Sequence, residues 1–350
     1  MRFYTENRKY YCGIDLHTKT MYVCILNESG EILLHQNIPA KPTPFLKLIA
    51  DYQDGLVVGV ECIFSWYWLA DLCDSEGIEF ILGHALYMKA IHGGKTKNDK
   101  LDSEKIARLM RGGNFPMAFV YPAELRPYRD LLRRRNFLVR MRSEVLAHIK
   151  LTNYQYNLPV FEKHIGKRGN REDLAERFRD ATVRKNVEVD LSVADHFHDQ
   201  INQLENYIIR HVKQFDPRTY FRLQSVPGVG RVLALVMLYE VGDLSRFPTV
   251  QSFCSYSRLV KCPKESAGKK YGYGGGKIGN AHLKWAFSEA TALFMRESDR
   301  AKAFVAKHEQ KHGKGKAMSI LAHKLGRAVY FMWRRNDAFD EKYFFSIDVV

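Results

Sequence analysis

The chain has 350 residues, 46% hydrophobic and 27% charged, the balance of a globular protein with room for two or three domains. No apolar run reaches bilayer-spanning length and the polar start MRFYTENRKYY lacks the apolar stretch of a secretory signal, so no membrane role is expected and a cytoplasmic protein is. The net charge of +15 is lopsided, with 7 Lys and Arg against 11 Asp and Glu in residues 1–93 and 47 against 28 in the remainder, which points to a polyanionic partner for the basic part rather than an even solubility charge.

Residues 1–124 read as α/β. YYCGIDLHTK opens with an apolar run that ends on an acid. TMYVCILN and EILLHQNIP follow, separated by the turn NESG, and three such runs in quick succession predict an antiparallel meander. PTPFLKLIADYQ reads as a helix with Thr43 as its N-cap. GLVVGVECI is a continuous apolar run and hence a buried strand. SWYWLADLCDSEG reads as a helix closed by Gly77, and IEFILGH as another strand. KNDKLDSEKIARLMRGG completes the region as a helix, with Leu101, Ile106, Leu109 and Met110 on one side and Gly112 and Gly113 as its stop.

Residues 125–215 read as wholly helical. In RPYRDLLRRRNFLVRMRSEVLAHIKLTNYQYNL apolar residues fall at 131, 132, 138, 139, 145, 146 and 149, the spacing of a long amphipathic or coiled-coil helix. Residues 126–150 hold eight Lys and Arg against two acids, which makes Arg133, Arg134 and Arg135 candidate nucleic-acid contacts; a solvated charged face is the alternative. A second long helix is predicted from Val193 to Val212, with KHIGKRGNREDLAERF between the two as a charged turn and short helix. Residues 216–350 open with LQSVPGVGRVLALVMLYEVG, pass through a glycine-rich polar stretch at 263–280, and end in two or three helices reaching about residue 335. Cysteines at 12, 24, 62, 73, 254 and 262 form no CxxC pair, which argues against a zinc ribbon and for six reduced packing residues.

Asp15 ends the first of these strands and Glu61 the buried fourth. An ionised acid in runs such as GID and GVEC is costly unless something compensates it, so both residues call for a function. Asp99 and Asp102 lie three apart near a helix start and share one face. There they either bind metal or act as N-terminal acids favoured by the helix dipole. Hard divalent cations take oxygen ligands, and two of them can clamp the attacking and leaving oxygens of a phosphodiester. Asp15, Glu61, Asp99 and Asp102 suit that chemistry, with Mg2+ as the expected ion and Mn2+ as its substitute.

SVPGVGRVLALVML has the form of a helix-hairpin-helix element, whose turn N–H groups can bind phosphate, although PGxG equally serves an ordinary tight turn. Residues 261–284 carry six lysines and one acid. Lys264, Lys269, Lys270 and Lys277 are interleaved there with Tyr271, Tyr273 and glycines. Glycines allow close backbone approach and tyrosines offer stacking faces, so these residues are candidate nucleic-acid contacts. A flexible surface loop explains the glycines but not the excess of lysine.

The order GIDLHTK, VVGVEC, KTKNDKLDSEKIARL resembles the N-terminal domain of the DEDD-type insertion-sequence transposases, the RNA-guided bridge recombinases. That domain is similar to the RuvC-like junction resolvases of the ribonuclease H-like fold. Family members continue with a coiled-coil insertion and a second, serine-bearing domain, so the resemblance covers nearly the whole chain. It implies a RuvC-like catalytic domain over 1–124, a helical coiled-coil region over 125–215 and a C-terminal transposase domain, mainly helical, over 216–350. The family's four acids fall on Asp15, Glu61, Asp99 and Asp102. Its serine falls on Ser266 in KESAGKK, ahead of GGKIGN, with Ala267 as a departure between Ser266 and Gly268.

The activity so implied is cutting and rejoining of donor and target DNA through a phosphoserine link that conserves bond energy. A small structured RNA as guide and a homodimer or homotetramer to join four DNA ends are implied with it. The alternative is a metal-dependent nuclease or Holliday-junction resolvase that hydrolyses DNA and forms no covalent adduct. An actin-like nucleotide-binding protein also begins GIDxGT, but it needs a second Asp-Gly-rich loop that the basic second half does not offer. A non-catalytic binding module is opposed by the strand-end positions of the acids.

Overall fold

Residues 2–91, 98–274 and 278–346 are described by the computed structural model, which divides into two units, Met1–Glu124 and Leu125–Val350. The first unit runs β1 (Arg2–Tyr4), β2 (Tyr10–Leu16), β3 (Thr20–Asn27), β4 (Ile32–Pro39), α1 (Pro42–Ile49), β5 (Leu56–Glu61), α2 (Tyr67–Ser75), β6 (Glu79–Gly83), α3 (Ala85–Ile91), α4 (Asp99–Arg111) and β7 (Phe115–Ala118). Its strands form one seven-stranded sheet in the order β1–β7–β6–β5–β2–β3–β4. β2, β3 and β4 make the antiparallel meander, β2, β5 and β6 run parallel, and β7 pairs antiparallel to β6 and β1.

Strand alternation sorts side chains between two faces. Cys12, Ile14, Leu16, Val58 and Val60 pack with Phe45, Ile49, Leu69 and Cys73 of the α1 and α2 side. Tyr11, Val57 and Ile81 pack with Ile106, Ala107 and Met110 of α4 on the other side. A mixed sheet with helices on both faces fits the ribonuclease H-like, RuvC-like fold. β1, α3 and β7 are additions to the sequence reading; the two strands are three and four residues long, too short to show a period.

Three local expectations are corrected. The N-cap of α1 is Lys41, not Thr43, because Pro42 takes the first helical position, where its fixed φ and missing N–H cost nothing. Leu101 is exposed: the buried stripe of α4 runs through Ser103, Ile106, Ala107 and Met110, at spacings of three, four and seven, and Leu101 lies off it. Cys62 is exposed rather than packed, since it follows the last residue of β5; Cys12, Cys24, Cys73 and Cys254 are buried and free.

The second unit begins with two long helices, α5 (Arg126–Gln155) and α6 (Ala181–Phe215). They are antiparallel: Arg135 pairs with Glu205, Arg142 hydrogen-bonds His198 and His148 pairs with Asp190. α6 starts well before Val193, because Asp180 caps it by accepting hydrogen bonds from the Thr182 and Val183 N–H groups. Between the helices, buried Arg171 donates to the Ile165 and Gly166 carbonyls and pairs with Asp195, which ties the connecting segment to α6.

The rest of the unit comprises α7 (Pro217–Gln224), α8 (Arg231–Val241), α9 (Val250–Tyr256), β8 (Cys262–Ser266), β9 (Lys269–Gly274), α10 (Ala281–Glu297), α11 (Asp299–His312), α12 (Lys314–Arg335) and α13 (Glu341–Ser346). α8 is buried from Leu233 through Val241, as a helix apolar on every side must be. Around it lie Phe253, Phe287, Leu321 and Tyr330 of α9, α10 and α12. In the turn between α7 and α8, Gly228 has φ +82, and a Cβ there would stand 2.5 Å from the Ala290 carbonyl oxygen. Its N–H donates to Glu297. That geometry makes Gly228 a helix-packing residue whose N–H is already committed. Among the described residues no helix is long and apolar enough to cross a membrane.

Candidate active site

Two glycines build the carboxylate site. Gly13 in β2 faces α4, and a Cβ on it would lie 2.2 Å from the Ser103 carbonyl oxygen. Gly59 in β5 faces the same helix, where a Cβ would meet Met110 Sδ at 2.3 Å. With no side chain at either position, α4 lies directly on the sheet. Its first turn, with Asn98 as N-cap and Asp99 and Asp102 following, is thereby carried to the end of β2. On the sheet, Asp15 and Glu61 both project to that face by alternation. Ile14 pairs with Val60 in the parallel β2–β5 ladder, so the two acids occupy the next, adjacent positions at the carboxyl ends of neighbouring strands.

The fold brings Asp15 and Asp99 together with a residue that the sequence reading passed over, His17. Its Nε2 lies 3.4 Å from Oδ2 of Asp15 and 3.4 Å from Oδ2 of Asp99. One ligand atom from each of Asp15, His17 and Asp99 falls within 4.8 Å of the others. The signal was present in GIDLHTK: residues two apart on an extended chain share a face. Asp102 lies one turn along α4, paired with Lys105 at 2.9 Å, close enough to act on Asp15 electrostatically. Glu61 is half-buried at the end of β5. Lys95 and Lys97 of the same motif lie outside the described residues.

Burial raises the proton affinity of Asp15. His17 opposes the shift, and Asp99 and Asp102 add to it, so its carboxyl sits above the ordinary aspartate value. Acids gathered where their charges disfavour one another are a donor set that a cation stabilises. Two carboxylates and an imidazole at these distances, with Asp102 near enough to act on Asp15, fit a divalent ion.

Ser266 belongs to the second unit. β8 and β9 form a hairpin in which Ser266 pairs with Lys269 across the two-residue turn Ala267–Gly268. Both turn residues have positive φ, +49 and +73, as such primed turns require. The segment that looked like a glycine-rich polar stretch is thus a strand pair, disguised by lysines and glycines of low strand preference. Ser266 is exposed at the end of β8. A register shift between Lys264 and Glu265 leaves Tyr271 as the extra residue on β9, with 68% of it exposed. Lys264, Lys269 and Lys270 are exposed on the same hairpin, and Lys270 reaches Glu265 at 3.6 Å. Lys277 and the side chain of Tyr273 lie outside the described residues.

The arginine triplet is split. Arg133 donates to both carboxylate oxygens of Glu240, at 2.7 and 2.9 Å. Arg135 pairs with Glu205 at 2.7 Å. Arg134 is the exposed member, its guanidinium 5.5 Å from the ring centre of Phe137. A run of identical side chains on one helix points in different directions, and here two of the three serve internal pairs.

Comparison with known proteins matches both units. Residues 12–153 match a family model described as "Transposase", of the IS110 DEDD type. Residues 221–306 match the model described as "Transposase IS116/IS110/IS902 family". The transposase for insertion sequence element IS1111A of Coxiella burnetii (strain RSA 493 / Nine Mile phase I) is 20% identical over 336 residues, 93% of this chain and 90% of the relative. The transposase for insertion sequence element IS1533 of Leptospira borgpetersenii is 27% identical over 257 residues, 67% of this chain and 70% of the relative. The insertion element IS110 uncharacterized 43.6 kDa protein of Streptomyces coelicolor (strain ATCC BAA-471 / A3(2) / M145) is 30% identical over 122 residues, 34% of this chain and 29% of the relative.

Proposed function

This chain belongs to the IS110 family of transposases, enzymes that cut and rejoin DNA, and on that premise we propose that it works through a carboxylate site in residues 1–124 and a serine nucleophile in residues 216–350. Asp15, Glu61, Asp99 and Asp102, joined by His17, hold a divalent cation, Mg2+ or Mn2+. When bound, that ion would supply charge stabilisation for the phosphoryl oxygens. Asp15 and Asp99 orient the donor set, and Lys105 tempers the charge of Asp102.

Ser266 is the nucleophile. Its Oγ bonds to the phosphorus of a DNA phosphodiester while the bond from phosphorus to the leaving sugar oxygen breaks. The serine proton passes to solvent, and the leaving oxygen takes one up. Attack by a sugar hydroxyl of the partner DNA then reverses the sequence and frees Ser266, so no external energy source is consumed. Lys264, Lys269 and Lys270 stabilise the charge that develops on the phosphoryl oxygens. Tyr271 and Tyr273 offer stacking faces, and Lys277 and Arg134 contact phosphates. A small structured RNA serves as guide. The helices of residues 125–215 provide coiled-coil contacts for a homodimer or homotetramer acting on donor and target DNA in the cytoplasm.

The observation that most supports this reading is the convergence of Asp15, His17 and Asp99, drawn from a strand end and a helix start by the glycine contact of Gly13. The test traps protein on a nicked, labelled DNA site with Mg2+, followed by denaturing electrophoresis and mass mapping. An adduct on Ser266 is expected, absent in Ser266→Ala while DNA and RNA binding persist. Cleavage with no adduct, or an adduct elsewhere, would identify a hydrolytic resolvase or a different nucleophile.

A further inference from the structure

We propose that Glu240 and Asn280 form a buried anchor that fixes the base of the β8–β9 hairpin and thereby positions Ser266, an inference that rests on the reading of Ser266 as nucleophile. The starting point is an anomaly in α8. Every residue from Leu233 to Val241 is buried, and one of them is an acid, Glu240, with 1% of its side chain exposed. A buried carboxylate is costly, and apolar residues of similar volume commonly serve a core as well or better. Its retention needs another reason, and specificity of arrangement is the available one.

Glu240 is reached from two directions. From α5, Arg133 donates to both oxygens and Arg129 Nε lies 3.3 Å from Oε2. From the start of α10, Asn280 Nδ2 donates to Oε2 at 2.7 Å. Asn280 uses its two side-chain ends differently. Its Oδ1 caps α10 by accepting from the His282 and Leu283 N–H groups at 2.9 and 3.0 Å, while Nδ2 turns inward to the acid.

The hairpin lies between the segments that this contact fixes. Residues 256–258 precede β8, and residues 279–280 precede α10. The Asn280 N–H donates to the Tyr256 carbonyl, and Arg258 Nε donates to the Gly279 carbonyl at 2.9 Å. Gly279 has φ +89, and a Cβ on it would stand 2.5 Å from the Tyr256 oxygen, so the two segments touch backbone to backbone. Beyond this clasp, residues 264–272 are exposed, and among the described residues β8 and β9 pair only with each other. An exposed hairpin takes its direction from its base. Here the flanking segments at 256–258 and 279–280 are tied to a buried charge held by two arginines of another helix. Asn280 and Glu240 are therefore positioning residues, acting on Ser266 through the backbone. The charge balance supports the same view: burial works against ionisation of Glu240, yet Arg133, Arg129 and Asn280 together hold its carboxyl below the ordinary glutamate value.

The test separates anchoring from helix capping. Asn280→Ser keeps a capping oxygen and removes the donor to Glu240. Amide hydrogen exchange over residues 262–274 and the rate of Ser266 adduct formation are measured with the full chain, alongside DNA affinity. Exchange in the hairpin is expected to rise and the adduct rate to fall by about a hundredfold, the cost of an ångström-scale misplacement, with DNA affinity falling far less than the adduct rate. The double variant Glu240→Gln with Asn280→Asp reverses the hydrogen bond and should recover part of both losses. Wild-type exchange and adduct rate in Asn280→Ser would overturn the anchor. If the single variant unfolds, failure of the folded double variant to hold the hairpin overturns it as well. Should wild-type protein form no adduct on Ser266, the nucleophile reading fails, while hairpin exchange still decides whether the anchor exists.

Discussion

In the N-terminal unit Asp15 lies one residue from the end of an apolar strand with 19% of its side chain exposed; in the C-terminal unit Glu240 lies inside an apolar helix with 1% exposed. Burial works against the charge of both. Around Asp15 the neighbours are an imidazole and two more acids, Asp99 and Asp102, and its carboxyl is pushed above the ordinary value. Around Glu240 they are two guanidiniums and an amide, and its carboxyl is pulled below it. A carboxylate whose charge the fold compensates only in part, here through His17, is suited to a ligand not part of the chain. One that the fold surrounds with donors is finished architecture. The contrast also bears on the basic surplus, because Arg129, Arg133 and Arg135 each pair with an acid of the chain itself.

The strongest way to break this comparison is to remove the charge of Asp15. Asp15→Asn should lower DNA cleavage by at least about a thousandfold, since the metal contributes several kcal/mol to the transition state. In metal-free protein the same change should raise the unfolding temperature. The folded-state value of Asp15 is raised, so its charge weakens the fold at neutral pH, and that penalty is relieved as pH falls toward the ordinary 3.8. Calorimetry with and without Mg2+ reads both effects. A lower melting temperature in the metal-free variant would place Asp15 with Glu240, as a structural acid.

The converse change is Glu240→Ala, which leaves Arg129 and Arg133 without their carboxylate. Breaking a buried pair costs about 3–5 kcal/mol, and denaturant titration should register a loss of that order. The pH dependence has the opposite sign to that of Asp15. The Glu240 value is depressed on folding, so its stabilisation is complete above the ordinary 4.5 and disappears as pH falls through the lower folded value. Glu240→Gln should lack this acid limb. A wild-type-like acid limb in that variant would mean that other carboxylates carry it.

The same contrast explains what was legible in the sequence. Asp15 and Glu61 stood out because an acid that ends an apolar strand run breaks a local pattern, and Asp99 and Asp102 because their spacing places them on one helical face. His17 was readable by alternation but lay beyond the apolar run that drew attention to Asp15. Glu240 was not readable, since an acid in a helix normally marks a solvent face, and its partners lie 107 and 40 positions away. Gly13 and Gly59 were hidden among strand residues, although glycines in strand interiors are a known sign of close backbone approach. The hairpin carrying Ser266 was hidden because its strands, CPKES and KKYGYG, are dominated by lysine, glycine and proline, which have low strand preference, and show no apolar alternation in sequence.

A smaller effect sharpens the division of the arginines. If Arg134 alone of the triplet faces a nucleic acid, Arg134→Gln should reduce the slope of log affinity against log salt by about one unit. Arg133→Gln should leave that slope unchanged and lower stability instead, because its guanidinium holds Glu240. Binding isotherms at several salt concentrations distinguish the two. Equal slopes for wild type and Arg134→Gln would make this arginine a solvated residue beside Phe137.

The smallest effect concerns the hairpin turn. Ala267 has φ +49, a left-handed conformation that costs an alanine about 1–2 kcal/mol because its Cβ crowds the following carbonyl. Asparagine tolerates that region, and Asn-Gly is the favoured pair for a two-residue primed turn. Ala267→Asn should therefore steady the hairpin by about 1 kcal/mol, read as about fivefold slower amide exchange in residues 264–272. The melting temperature should stay unchanged, because the hairpin opens locally, without unfolding the core around α8. This variant acts at the tip and Asn280→Ser at the base, so the pair tests whether Ser266 is held from one end or both. Slower exchange with an unchanged adduct rate means that the base sets the position of Ser266 and the turn merely closes the loop. Slower exchange with a slower adduct rate means that the strained alanine keeps the tip adjustable for its phosphodiester, at the expense of local stability. Unchanged exchange would show that the positive φ of Ala267 carries no penalty in this turn.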